Sequence, residues 1–229
     1  MGKAVQSKET YDKMFSEGGY QGVYELPYWH SNYFPLFKRV LREILRRDVK
    51  SVLEVGCGTG SFAHLLMTKT NLDYRGFDFS RVGVDKAIAR TRRNDAFFEG
   101  DATARATYDG HHYDCIVCTE VLEHIDWDLE TIANWKTGTF CVCSVPNFDD
   151  ETHVRFFRSA DDVRARYGAL INIEEVIQVK KPVLTDISMS NILREIRWKR
   201  YHLRRLMEIL GFGAFEATGG WFLFTGTKR

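Results

Sequence analysis

The stretch SVLEVGCGTG, residues 51–60, decides the fold. Five residues typical of a buried strand run into a glycine-rich turn, and Phe62, Leu65 and Leu66 follow at helical spacing. Glycines let the backbone turn tightly and approach a ligand closely, and the N-terminus of the next helix offers free N–H groups. The stretch therefore predicts a strand–turn–helix unit with a ligand site at its turn.

The same alternation of strand and helix patterns continues to residue 146. The sequence predicts further strands at 74–78, 96–101, 113–120 and 139–146, with helices near 80–92 and 127–135. Nearly all-apolar strands that alternate with helices are typical of a parallel sheet covered on both faces. We therefore predict an α/β fold with a doubly wound, mostly parallel sheet, whose ligands lie beyond the carboxyl ends of the strands.

Further elements are predicted on both sides of this core. An N-terminal helix is expected to be capped near Ser31, with one apolar face made of Phe34, Phe37, Leu41, Ile44 and Leu45. A helix at 159–167, a strand at 171–179, a helical insertion and a final strand from Trp221 are expected after the core. We predict a single domain, 1–229, with an N-terminal lid and helix (1–48), a ligand-binding core (51–146) and an insertion (180–212).

Composition and charge exclude several classes of protein. The 229 residues carry a net charge of only +1, so no global field attracts the chain to a polyanion. No apolar run reaches the roughly 18 residues that span a bilayer, and the N-terminus lacks the apolar stretch of a signal peptide. Five cysteines fall in or near predicted strands, which predicts buried thiols and a cytoplasmic protein. The basic helix predicted at 194–205 is either a solvated face or an anion-binding surface.

Three acidic residues stand near the ends of the first three strands. Glu54 precedes the first glycine by two residues, and Asp78 ends the second strand, where a carboxylate can bind both hydroxyls of a ribose. Asp101 ends the third strand, within reach of an adenine edge. The glycine spacing is GxGxG, and Ser61 stands where a dinucleotide-binding fingerprint has its third glycine.

With EVGCGTG, GFD, EGDA and TEVLEHI in this order and spacing, the sequence resembles the class I S-adenosylmethionine-dependent methyltransferases, well over residues 51–146 and loosely beyond. The resemblance implies that Glu54 anchors the amino group of the cofactor, Asp78 holds its ribose, and Phe79 packs on its adenine. The full set of cofactor-binding residues that it implies is Glu54, Gly56, Cys57, Gly58, Gly60, Asp78, Phe79, Asp101, Ala102 and Glu120.

The segment Glu120–His124 follows the fourth strand, and His153 follows the fifth. Three interpretations remain open: a loop that only shapes the cofactor pocket, a general base at His124 or His153 beside Glu120, or a site for Mg²⁺ or Mn²⁺. The four candidate metal ligands are Glu120, Glu123, His124 and His153. This ExxEH followed by a distal histidine is similar to the small-RNA 2′-O-methyltransferases, in which it holds magnesium.

The N-terminal region is rich in aromatic residues, with nine of the chain's 31 between residues 11 and 37. Aromatic faces attract a sulfonium cation by about 0.5–2 kcal/mol and exclude water. Tyr20, Tyr24, Trp29 and His30 are therefore candidates for a lid over the cofactor. The alternative is that most of these rings only pack a helix onto the sheet.

The expected activity is transfer of a methyl group to a hydroxyl oxygen of a small molecule, such as a sugar or secondary metabolite, which is anionic or neutral. One alternative is metal-dependent 2′-O-methylation of RNA ends, which the net charge of +1 disfavours. Another is a partner subunit that binds the cofactor without catalysing a reaction. The intact ExxEH motif argues against that second alternative.

Overall fold

The computed structural model describes residues 5–19, 22–181 and 219–229. Its seven strands form one sheet with the order β3-β2-β1-β4-β5-β7-β6. The strands are β1 (Ser51–Val55), β2 (Asp73–Asp78), β3 (Phe97–Glu99), β4 (Cys115–Cys118), β5 (Phe140–Pro146), β6 (Ile171–Lys180) and β7 (Gly220–Lys228).

Strands β1 to β5 are parallel, and β7 is antiparallel to both of its neighbours. The chain order reverses between β1 and β4, so the carboxyl ends of both strands meet at a topological switch point. Every residue of β1 and β4 is buried, as expected for strands covered on both faces. The predicted doubly wound, mostly parallel α/β fold is confirmed.

Helices cover the sheet on both faces and create two apolar cores. One core contains side chains of α2, α3 and α4, and the other contains side chains of α5 and α6. The helices are α1 (Lys8–Ser16), α2 (Phe34–Leu45), α3 (Ser61–Lys69), α4 (Arg81–Thr91), α5 (Asp128–Ala133) and α6 (Ala160–Tyr167).

Strands β3 and β4 are shorter than predicted, because side-chain hydrogen bonds or a left-handed residue stand where they end. The carboxylate of Asp114 accepts hydrogen bonds from the backbone N–H groups of Lys50 and Ser51, and β4 begins after it. At the other end Glu120 has a φ of 58°, which is incompatible with a strand. In the turn after β3, Asp101 Oδ1 accepts from the N–H of Thr103 at 2.8 Å.

The N-terminal helices differ from the prediction in three respects. α2 begins at Phe34 rather than near Ser31, whose hydroxyl accepts from the N–H of Tyr33 at 3.2 Å. Placing Leu45 on the buried face was wrong, because 59% of it is exposed while Leu36 and Val40 are buried. α1 was not predicted.

The predicted insertion lies outside the described residues from residue 182 onward, and so does the basic helix 194–205. The five cysteines are buried and free, as predicted. Cys115 and Cys118 belong to different cores, on opposite faces of the sheet. Among the described residues, no helix is both long and apolar enough to cross a membrane.

Candidate active site

A cleft of about 1280 Å³ opens at the carboxyl ends of the parallel strands. The turns after β1 to β4 form its floor, the loop after β5 forms one wall, and α1 lies across it. Nine of the ten predicted cofactor-binding residues line this cleft: Glu54, Gly56, Cys57, Gly58, Asp78, Phe79, Asp101, Ala102 and Glu120.

The tenth, Gly60, faces away from the cleft. Its φ of 74° places it in the left-handed region as the N-cap of α3. A Cβ at this position would lie 2.9 Å from the backbone of Ala87 in α4. The structure therefore places Gly60 where α3 and α4 pack closely, whereas Gly56 and Gly58 border the open cleft.

Two buried acids stand beside the glycine turn. Asp78 accepts hydrogen bonds from the N–H of Gly58 and of Ser80, each at 2.9 Å, and its burial raises its pKa to about 6. Glu54 accepts a hydrogen bond from the hydroxyl of Tyr74, and its burial raises its pKa to about 8. Both carboxyl groups lack a cationic partner among the described residues and can accept from the hydroxyls or the ammonium of a ligand.

Beyond the ends of β4 and β5, the structure brings together Glu123, His124 and His153. One potential ligand atom of each residue lies within 4.8 Å of the others. The backbone holds the two segments together, because the N–H of Val154 donates to the carbonyl of Glu123 at 2.8 Å.

Glu120 does not belong to this group, contrary to the predicted set of four ligands. Its backbone is left-handed, and the hydroxyl of Ser144 in β5 lies 3.5 Å from its Oε1. Burial raises the pKa of Glu120 to about 7.

In both histidines, Nδ1 lies next to a backbone carbonyl oxygen. Nδ1 of His124 lies 3.0 Å from the carbonyl of Thr152, and Nδ1 of His153 lies 3.2 Å from the carbonyl of Phe148. Because a carbonyl oxygen only accepts, each Nδ1 carries a proton, and Nε2 is the ring nitrogen left to bind a ligand. Burial lowers the pKa of His124 to about 4, so its imidazole is neutral at pH 7, as a metal ligand must be, and is a weak base.

Glu123 is fully buried, and no donor in the described part of the chain bonds to either carboxylate oxygen. Burial, together with repulsion from Glu120, raises its pKa well above the usual range. A buried carboxylate is costly unless a cation or donors compensate it. The trio thus combines one buried carboxyl group that accepts no hydrogen bond from the described residues with two imidazoles oriented by backbone carbonyls.

The profile of a family described as a methyltransferase domain matches residues 28–212, most of the chain. The chain is a class I S-adenosylmethionine-dependent methyltransferase. No curated protein sequence gives a significant match.

Solved structures share the fold of this methyltransferase at low sequence identity. A chain from the complex that contains the Haloferax volcanii Trm112 methyltransferase activator is 21% identical, with 98% of this chain and 99% of that chain covered and a TM-score of 0.64. The N-methyltransferase NodS of Bradyrhizobium japonicum, solved with S-adenosylhomocysteine, is 15% identical, with 96% and 97% covered and a TM-score of 0.62. A Geobacter sulfurreducens S-adenosylmethionine-dependent methyltransferase with the same ligand is 15% identical, with 95% and 98% covered and a TM-score of 0.59.

The N-terminal region of the methyltransferase covers the cleft differently from the prediction. Of the four lid candidates, Tyr24 lines the cleft, Trp29 and His30 do not, and Tyr20 lies outside the described residues. Trp29 is half exposed and packs edge-on against Tyr28. The residues of this region that line the cleft also include Tyr11, Met14, Phe15 and Tyr33.

Hydrogen bonds from two basic side chains of α4 hold the N-terminal region of the methyltransferase against that helix. Arg90 donates to the carbonyls of Tyr24, Leu26 and Thr59, the last of which belongs to the glycine turn. Lys86 donates to the carbonyl of Phe15 at 2.6 Å.

Sequence reasoning missed α1 and therefore Tyr11, whose ring lies 5.1 Å from that of Phe79 and 6.1 Å from that of His124. A signal existed, because Ser7 precedes the helix and accepts from the N–H of Thr10 as its cap. Phe15 follows Tyr11 at the i, i+4 spacing of one helix face.

Proposed function

We propose that the methyltransferase transfers the methyl group of S-adenosylmethionine to a hydroxyl oxygen of a small molecule, a sugar or secondary metabolite. We further propose that Glu123, His124 and His153 hold a divalent cation, Mg²⁺ or Mn²⁺, beside the acceptor. The observation that carries the proposal is this trio: His124 and His153 line the same cleft as Gly58 and Asp78, and buried Glu123 has a carboxylate oxygen within 4.8 Å of a ring nitrogen of each.

The cofactor would lie along the β1 to β3 side of the cleft. The carboxylate of Asp78 suits the two ribose hydroxyls, Glu54 suits the ammonium group, and Asp101 beside Ala102 suits an adenine edge. The S-adenosylhomocysteine complexes of NodS and of the Geobacter protein, which share this fold, support S-adenosylmethionine as the cofactor.

The trio fits a divalent cation by its chemistry. Ligating histidines commonly donate their second ring nitrogen to a carbonyl, as both histidines do here. The carboxylate of Glu123 supplies the negative charge, and three protein ligands leave coordination positions open to an acceptor oxygen. When bound, such a cation supplies Lewis acidity that lowers the pKa of an acceptor hydroxyl.

The chain's own residues contribute mainly position. Methyl transfer from a sulfonium is an in-line displacement, for which correct orientation is worth roughly 7–11 kcal/mol. Tyr11 and Tyr24 border the cleft from the N-terminal region, where their rings exclude water and favour a sulfonium. With a pKa near 4, His124 is a poor general base at neutral pH, so we favour the ligand role over the base role.

A small acceptor suits a cleft that α1 partly covers, and the net charge of +1 does not favour nucleic acid. RNA 2′-O-methylation is the second candidate, because the ExxEH motif followed by His153 resembles the motif that holds magnesium in the small-RNA enzymes. Five buried free thiols support our expectation of a cytoplasmic location. Catalysis by the isolated chain would exclude the role of a partner subunit without activity.

The test uses the pure protein with methyl-labelled cofactor and a host extract divided into small-molecule, lipid, RNA and protein fractions, each with and without EDTA. We expect label in the small-molecule fraction, with EDTA abolishing it. Label at RNA ends would favour the second candidate, and labelling that persists in excess EDTA would contradict the cation.

A further inference from the structure

The loop between β4 and α5 carries both Glu123 and His124, and the side chain of Arg155 donates hydrogen bonds to its backbone carbonyls. We propose that Arg155 is a positioning residue that fixes this loop and joins it to the segment bearing His153. The inference rests on the cation site of the proposed function, but it concerns a residue outside the ligand trio.

Arg155 reaches the loop on both sides of the two candidate ligands. Its Nη1 donates to the carbonyl of Leu122 and, at 2.5 Å, to that of Ile125. Its Nη2 donates to the carbonyl of Asp126 at 3.2 Å. Three carbonyls bound by one planar guanidinium restrict the loop far more than a single hydrogen bond does.

A buried carboxylate holds the guanidinium in place. Asp128 lies 3.4 Å from Nη1 of Arg155 and is fully buried at the start of α5. It also accepts two hydrogen bonds from Arg166 at 2.7 Å and one from the hydroxyl of Tyr167 at 2.9 Å. Through Asp128, Arg155 is connected to α6 as well as to the loop. Only 16% of its side chain is exposed to solvent.

Arg155 also connects the two halves of the trio. It stands two residues after His153, and the intervening Val154 donates its N–H to the carbonyl of Glu123 at 2.8 Å. A shift of the loop relative to residues 153–155 would separate the ligand atoms. The spacing of Glu123, His124 and His153 therefore depends on the contacts of Arg155.

The informative variant is Arg155→Lys, which keeps the positive charge but replaces the planar fork with one point donor. The matched control is Arg164→Lys. Arg164 also donates Nη1 to a backbone carbonyl, that of Ile173 at 3.2 Å, but in β6 and away from the cleft.

Three measurements on the full chain test the inference: Mn²⁺ binding by electron paramagnetic resonance, S-adenosylhomocysteine binding by calorimetry, and hydrogen exchange of the peptide covering residues 121–127. For Arg155→Lys we expect the Mn²⁺ dissociation constant to rise by about 10–100-fold and the peptide to exchange at least about tenfold faster. The affinity for S-adenosylhomocysteine should stay within about threefold of wild type. Arg164→Lys should change none of the three.

Wild-type Mn²⁺ affinity and wild-type exchange in Arg155→Lys would overturn the inference. A parallel loss of affinity for both ligands would also overturn it, because that is the result of general destabilisation. If the wild type itself binds no Mn²⁺, the proposed cation site fails, and exchange of the 121–127 peptide alone then decides the role of Arg155.

Discussion

The two sides of the cleft are built in different ways. The cofactor side comes from residues at or just beyond the carboxyl ends of β1, β2 and β3, and its acid Asp78 already accepts two backbone hydrogen bonds. The acceptor side joins loops after β4 and β5 with α1, and its acid Glu123 has no donor among the described residues. The acid of the cofactor side is thus already held by the protein, whereas the acceptor side carries the cation site that we propose.

This difference also explains what the sequence could predict. Adjacent parallel strands bring their carboxyl ends together, so an acid that ends a strand can be placed by position alone. Glu54, Asp78 and Asp101 all line the cleft for this reason. The fold followed from the same strand pattern.

The acceptor side depends on geometry that the sequence pattern does not contain. Glu120 shares a motif with Glu123, but only Glu123 has a carboxylate oxygen grouped with the two histidines. Trp29 is an aromatic residue of the kind expected in a lid, but it is half exposed and does not line the cleft. Tyr11, in the unpredicted helix α1, does line the cleft. Such contacts arise from packing between segments distant in sequence.

The largest expected effect is on the acceptor side. Glu123→Gln removes the negative charge of the trio, and we expect methyl transfer to fall by at least about 100-fold. Cofactor affinity should remain within about threefold, because the cofactor side keeps all its contacts. The rate of methyl labelling and calorimetry with S-adenosylhomocysteine check this, with exposed Glu130→Gln as the control. Unchanged turnover in Glu123→Gln would refute the role of the carboxylate.

A substitution on the cofactor side should change cofactor affinity and leave cation binding unchanged. Asp78→Ala removes charged hydrogen bonds to the ribose, and we expect it to weaken cofactor binding by about 1.5–3 kcal/mol. Mn²⁺ binding should be unaffected. Calorimetry measures the loss against Asp85→Ala, an exposed acid of α4. Cofactor affinity equal to wild type would remove Asp78 from the ribose site.

Protonation gives a subtler comparison of the two sides. Since the pKa of Glu54 is about 8, this carboxyl group is mostly protonated at pH 7 in the free protein. The cofactor's ammonium favours the charged carboxylate, so its binding should release about one proton from Glu54. Calorimetry at pH 7 in buffers of different ionisation enthalpy measures the release. In Glu54→Gln it should be lost; an equal release in that variant would assign the proton to another group.

The smallest expected effect concerns the aromatic cover. Tyr11→Leu should weaken S-adenosylmethionine binding by about 0.5–2 kcal/mol and S-adenosylhomocysteine binding by less, because only the former carries a sulfonium. Trp29→Leu is the matched control and should leave both affinities unchanged. Equal losses for the two ligands in Tyr11→Leu would mean that the ring contributes packing without charge recognition.

The most direct test of the difference between the two sides is a crystal structure with S-adenosylhomocysteine and Mn²⁺, with anomalous scattering recorded at the manganese edge. We predict the nucleoside beside Gly58 and Asp78 and one anomalous peak bound by Glu123, His124 and His153. Crystals with the nucleoside in place and no anomalous peak at this trio would contradict the account.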